Sequence, residues 1–194
     1  MRSTDLHNLR ATLTGVWGRR VRLLDAGCRD LEDEIRISKM ILSRGPRRAW
    51  VMVCHCYLRA AADLRHGGNP NRFAPIEPLL RRRVLQILRR HHTRSEVIIA
   101  IETLEWLTRR RDVPLILQVR QDYASHEGIV AHCDGCLLSI MGDAAEREDP
   151  ELVAFALSEI SRPSVNAQSW RWALEGHGSQ GARDALRQLD GAAD

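Results

Sequence analysis

Two short groups hold most of the side chains that could do chemistry: Cys54-His55-Cys56 and His132-Cys133-Asp134-Gly135-Cys136. Thiolate and imidazole are zinc ligands, so on residue type alone these are a metal inventory. Nucleophilic and phosphate-handling chemistry has no comparable foothold. The chain lacks a glycine-rich phosphate loop and a nucleophile elbow, and after His126-Glu127 the place of the second histidine of a zinc-protease helix is taken by Val130. A third inventory is guanidinium: Arg19-Arg20-Arg22, Arg47-Arg48, Arg81-Arg82-Arg83, Arg89-Arg90 and Arg109-Arg110-Arg111. Such clusters track a phosphate backbone in nucleic-acid readers. They equally serve as solvated faces and as cations at helix C-termini, and no aromatic residues interleave them as single-strand binding would need.

The elements that carry these groups follow a period. Pro78, Pro114 and Pro150 are 36 residues apart each time, and each opens an amphipathic pair, the mark of a helical repeat. The pairs are predicted at 78–91 with 96–109, 114–123 with 128–141, and 150–160 with 164–175, with proline in the first turn, where its missing donor costs nothing. Upstream, a helix is expected over 4–24, a second over 30–42 with acidic residues in its first turns, and a third over 47–65; His66 to Arg72 reads as a loop. A terminal helix at 180–189 would cover the last apolar face. Gly142-Asp143 reads as a helix stop.

Registering the second helices on one another tests the metal idea. With Trp50, Val97, Ile129 and Val165 equivalent, four residues on stand Cys54, Ile101, Cys133 and Ser169, and seven on stand Tyr57, Leu104, Cys136 and Trp172. These are inward positions, and two repeats separate Cys54 from Cys133, roughly 20 Å at about 10 Å per packed helix. The thiols therefore read as core residues; neither a metal nor another cofactor is expected. Five cysteines without a secretory leader read as reduced thiols.

Composition agrees with a helical protein. Aromatics are 5% and charged residues 28%, and sustained strand-like alternation is absent. Charge is uneven: residues 1–110 carry 22 Lys+Arg against 11 Asp+Glu, and residues 111–194 carry 7 against 14. Such asymmetry suits acidic partners for the first half, or head-to-tail self-association. The apolar runs are too short for a membrane span, so the expected partners exclude the membrane and the expected location is the cytoplasm.

In Asp112-Val-Pro-Leu-Ile-Leu, in Gly128 to Asp143 and in Asp149-Pro-Glu-Leu-Val-Ala-Phe-Ala-Leu, the chain resembles the HEAT-like repeat family. The likeness covers about 75–175 and more loosely 30–66. It departs from the family at Arg109 to Asp112, where Gly-Asp belongs, and in lacking the usual second-helix arginine. The resemblance implies an all-α fold, a right-handed α-α superhelix of stacked antiparallel helix pairs with capping helices at both ends. One domain over 1–194 is expected: a first helix (1–29), a divergent pair and loop (30–74), pairs at 75–111, 112–147 and 148–178, and a cap (179–194).

It also implies that second helices line a concave face where partners dock. Five residues on from the reference position stand His55, Glu102, Asp134 and Trp170, with Arg171 beside the last. This ladder is expected to face outward, unless the terminal helix covers Trp170. The expected function is a non-enzymatic protein-binding scaffold or adaptor using these residues. The alternative is nucleic-acid binding through Arg47, Arg48, Arg81, Arg82, Arg83, Arg109, Arg110 and Arg111. An enzyme, as in the base-excision and chromophore-ligating users of such folds, rests on fold analogy alone.

Overall fold

A computed structural model describes residues 13–26, 30–64, 73–90, 93–143, 150–161, 167–177 and 180–191. Among them the secondary structure is helical and no strand forms. The chain divides into two compact units, Met1–Leu107 and Thr108–Asp194.

The first unit holds α1 (Gly15–Ala26), α2 (Leu31–Arg44), α3 (Arg47–Leu64), α4 (Glu77–Leu88) and α5 (Arg94–Leu107). The expected first helix over 4–24 is corrected within the described residues. Leu13 and Thr14 are not helical, and Gly15 takes φ +64, a left-handed conformation that glycine adopts without a Cβ clash. Gly18 then packs on the break, since a Cβ there would come within 2.3 Å of the Leu13 carbonyl oxygen. Residues 4–12 and the loop expected at 66–72 lie outside the described residues.

Helix α2 starts where its sequence says it should. Asp30 is the N-cap, its Oδ1 accepting from the Asp33 amide at 2.7 Å, a cap of about 1 kcal/mol. Glu32, Asp33 and Glu34 complement the dipole in the first turn. The helix ends when the Gly45 amide donates to the Ile41 carbonyl at 2.7 Å, and Pro46 leads straight into α3. Its buried stripe of Glu34, Ile37, Ser38, Ile41 and Leu42 keeps helical spacing and faces α3 and α4.

Packing in this unit is like on like: α2 pairs with α3, α4 with α5, and then α2 touches α4 and α3 touches α5. The longest helix, α3, also carries α1 on its flank. Val53, Cys54, Ile99, Ala100, Ile101 and Leu104 fill the α3–α5 contact region and are almost wholly buried.

The second unit begins with a 3-10 turn, Arg110–Asp112, followed by α6 (Val113–Asp122), α7 (Glu127–Asp143), α8 (Pro150–Ile160), α9 (Ala167–His177) and α10 (Gln180–Gly191). In place of the missing Gly-Asp, Asp112 ends the approach by accepting the Arg109 amide at 2.9 Å on its Oδ2. Helix α6 packs on α7, α8 on α9, α7 on α9, and α10 lies against both α8 and α9. Helix α7 includes Gly142 and has Asp143 as its last residue, two past the expected end at 141.

Pro78 and Pro114 fall in the first turn of α4 and α6, and Pro150 is the first residue of α8. In α9 the inward residues are Trp170 and Leu174, both fully buried, whereas Trp172 is 64% exposed; the expected start at 164 lies outside the described residues. The common register is thus one residue off in α9. Pro150 fixes the start of α8 and leaves the phase of α9 open. Within the described residues, no helix is long and apolar enough to cross a membrane.

Candidate functional site

The expected ladder splits into two kinds of residue. His55 on α3, Glu102 on α5 and Arg171 on α9 are half-buried, and Arg171 Nε meets Glu175 Oε1 at 3.2 Å. Asp134 and Trp170, in contrast, are 2% and 0% exposed, which overturns the expectation that they face outward. The Trp170 indole lies edge-on to Phe155 of α8, with centroids 5.3 Å apart and an interplanar angle of 79°. Its Nε1 has no hydrogen-bond partner among the described residues.

Asp134 is buried because an arginine comes to it. Arg120, near the end of α6, directs Nε to Asp134 Oδ1 at 2.7 Å and its terminal nitrogen to Glu159 Oε2 at 2.6 Å. Its guanidinium also lies over the Phe155 ring, 5.2 Å from the centroid. One cation therefore ties α6, α7 and α8 together. Burial alone would lower the Arg120 pKa, but the hydrogen bond that Arg120 donates to Asp134 and the charges of Asp134 and Glu159 outweigh it and raise the pKa instead. Pairing of this quality keeps two carboxylates in the interior without leaving either uncompensated.

The sequence does carry a signal for this triad. Asp134 stands alone within the apolar run of α7, and Glu159 is the lone acid in α8 after Glu151. An isolated acid on such a helix needs a cation, and Arg120 is the arginine within the preceding helix.

Two of the clustered arginines are likewise structural. Arg81, 8% exposed, donates from Nε to the Leu107 carbonyl at 3.2 Å at the end of α5. Arg83 donates to the Leu42 carbonyl at 2.6 Å, to the Ser43 carbonyl at 3.2 Å and to Gln86 Oε1 at 2.7 Å. Its guanidinium covers the Trp50 ring at 4.2 Å. Both therefore satisfy carbonyls that a helix C-terminus leaves without partners, so the run 81–83 does not form one free basic face. Burial and the neighbouring Arg82 charge lower the Arg83 pKa from the usual arginine value. Arg82 is exposed, as are Arg47, Arg48 and, in the second unit, Arg109, Arg110 and Arg111.

The cysteines are core residues. Cys54, Cys133 and Cys136 are fully buried and Cys56 is 7% exposed. Burial pushes the thiols of Cys54 and Cys133 up to about 12, so at about pH 8 on the order of one in ten thousand is a thiolate. Cys28 lies outside the described residues. In a Cys28→Ser background, an aromatic disulfide reagent at about pH 8 is expected to label the native protein negligibly and the denatured protein at four thiols. Rapid labelling of the native protein would refute the packing of α3 or α7. No group of three His, Cys, Asp or Glu side chains that could hold a metal is found among the described residues.

Compared with protein-family models, with curated proteins and with solved structures, the chain matches none.

Proposed function

We propose that the chain is a non-enzymatic binding protein, a scaffold or adaptor whose helix pairs are of the HEAT-like kind and dock a protein partner on their outward faces. The observation that supports this most is Trp172, an indole left 64% exposed on α9. Gln168 lies four residues before it, with Arg171 adjacent and Glu175 three residues on, giving an outward stripe at helical spacing. A tryptophan with arginine beside it is the composition in which interface energy concentrates. His55 and Glu102 of the first unit remain candidate contacts because both are half-exposed, while Asp134 and Trp170 drop out.

The test is a pull-down from nuclease-treated lysate of the encoding organism, followed by titration of the recovered partner after purification. Trp172→Ala is expected to weaken that partner by about 2 kcal/mol, roughly thirty-fold, with thermal unfolding unchanged. Undiminished affinity in the variant, or loss of the partner on nuclease treatment, refutes the reading.

A further inference from the structure

We propose that one end of the first unit is a docking surface for the phosphate backbone of a double-stranded nucleic acid. The end is defined by two contacts. Arg47 Nε, in the first turn of α3, meets Glu96 Oε1, in the first turn of α5, at 3.2 Å, and Arg83 of α4 reaches the last carbonyls of α2. The starts of α3 and α5 therefore lie together, with the end of α2 next to α3 across Gly45-Pro46 and the end of α4 preceding the start of α5 in the chain.

Arg44, Arg47, Arg48, Arg89, Arg90 and Arg94 are all exposed there. From residue 39 to 51 and from 82 to 98 the sequence contains a single carboxylate, Glu96. That carboxylate is no counter-charge for a ligand to displace. It is 2% exposed and taken on one oxygen by Arg47 and on the other by the Thr93 amide at 3.3 Å. Helix C-termini alone would call for cations at Arg44, Arg89 and Arg90, but Arg47, Arg48 and Arg94 lie at helix N-termini. There the dipole is positive and a cation is unfavourable. Arg47 answers Glu96, but Arg48 and Arg94, placed against the dipole beside three arginines placed with it, concentrate positive potential and the backbone N–H groups of two helix starts at one end. That is an anion-binding arrangement.

The chemistry favours a nucleic-acid backbone over other polyanions. Guanidinium pairs bidentately with phosphate. A protein partner would want an aromatic anchor, but the one indole nearby, Trp50, lies beneath Arg83. Among the described residues, the same covered ring leaves no platform there on which single-stranded bases could stack. The arginines come from two adjacent helix pairs, about 10 Å apart by ordinary helix packing, so they meet successive phosphates rather than one. The surface is distinct from the outward face of α9, and either could fail without the other.

Titrating the full chain with a labelled random-sequence duplex of about 20 base pairs, between about 50 and 200 mM salt, reads the inference directly. Affinity is expected to fall steeply with salt, with a log–log slope of about −4.5 if the five arginines other than Arg47 engage. Arg48→Gln/Arg90→Gln/Arg94→Gln should flatten the slope by about 3 and weaken binding at low salt, with the thermal melt unchanged. Arg109→Gln/Arg111→Gln, in the other unit, should change neither. Failure to bind at the lowest salt, a slope unaffected by the triple variant, tighter binding to a single strand, or tighter binding to phosphatidylserine vesicles overturns the proposal.

Discussion

Arg120→Met is expected to destabilise the second unit by about 3–5 kcal/mol, read as a fall in the denaturant midpoint of the transition that carries α6 to α9. Methionine fills much of the volume, so the loss comes chiefly from charge. Asp134 and Glu159, 2% and 4% exposed, would be left in the interior without the guanidinium that now lies 2.7 and 2.6 Å from them. Buried ion pairs are often no better than apolar side chains of the same size, because desolvating the charges offsets most of their attraction. That asymmetry supplies the control. Arg120→Met/Asp134→Asn/Glu159→Gln removes the two buried negative charges together with the cation and should recover most of the loss. If the triple variant is no more stable than the single one, Arg120 acts by packing over Phe155 and not by neutralising the two acids.

The second large effect is at Trp170. Trp170→Ala is expected to cost about 3–5 kcal/mol, since it empties a fully buried site and removes the edge-on contact with Phe155. Trp170→Phe should cost much less, because it keeps an aromatic ring and eliminates the Nε1–H that has no partner, a group whose burial itself costs about 1–3 kcal/mol. Trp172→Ala, two residues away, should move stability by no more than about 0.5 kcal/mol, as for most surface substitutions. Equal losses at 170 and 172 by denaturant unfolding would refute the orientation of α9.

That pair of tryptophans marks how far the sequence can be read. The helices and their order were legible from local signals: acidic residues in the first turn of α2, prolines in first turns, apolar stripes at helical spacing. Local signals set an element's position to within a few residues, and that accuracy is too coarse for the ladder. One residue of phase turns a side chain through about 100° around the helix axis, enough to exchange Trp170 and Trp172 between core and solvent. The left-handed glycine at 15 was hidden for another reason, since Gly15 lies inside a stripe of apolar residues that continues through it.

Asp134, Arg81 and Arg83 were misread because charge is a surface signal only until a partner from a distant part of the chain arrives. Arg120 is 14 residues from Asp134 and 39 from Glu159, and Arg83 is 41 residues from the carbonyl it caps. No window of the sequence spans those distances. The isolated acids of α7 and α8 were the visible trace.

The reach of Arg83 into α2 has a bearing on how such chains change over evolutionary time. A helix pair that contacts its neighbour only through apolar surface can be exchanged with little penalty, because apolar contact is non-directional. Here the seam is keyed. Leu42 and Ser43 depend on an arginine from the next pair for their carbonyl partners, and Glu96 and Arg47 depend on each other across the same seam. A duplication or deletion that inserted a different pair at this point would break both locks at once, taking Arg83 from the Leu42 and Ser43 carbonyls and its cation from the buried Glu96. Lineages carrying this seam would be held to a fixed number and order of helix pairs here, and would diverge by substitution.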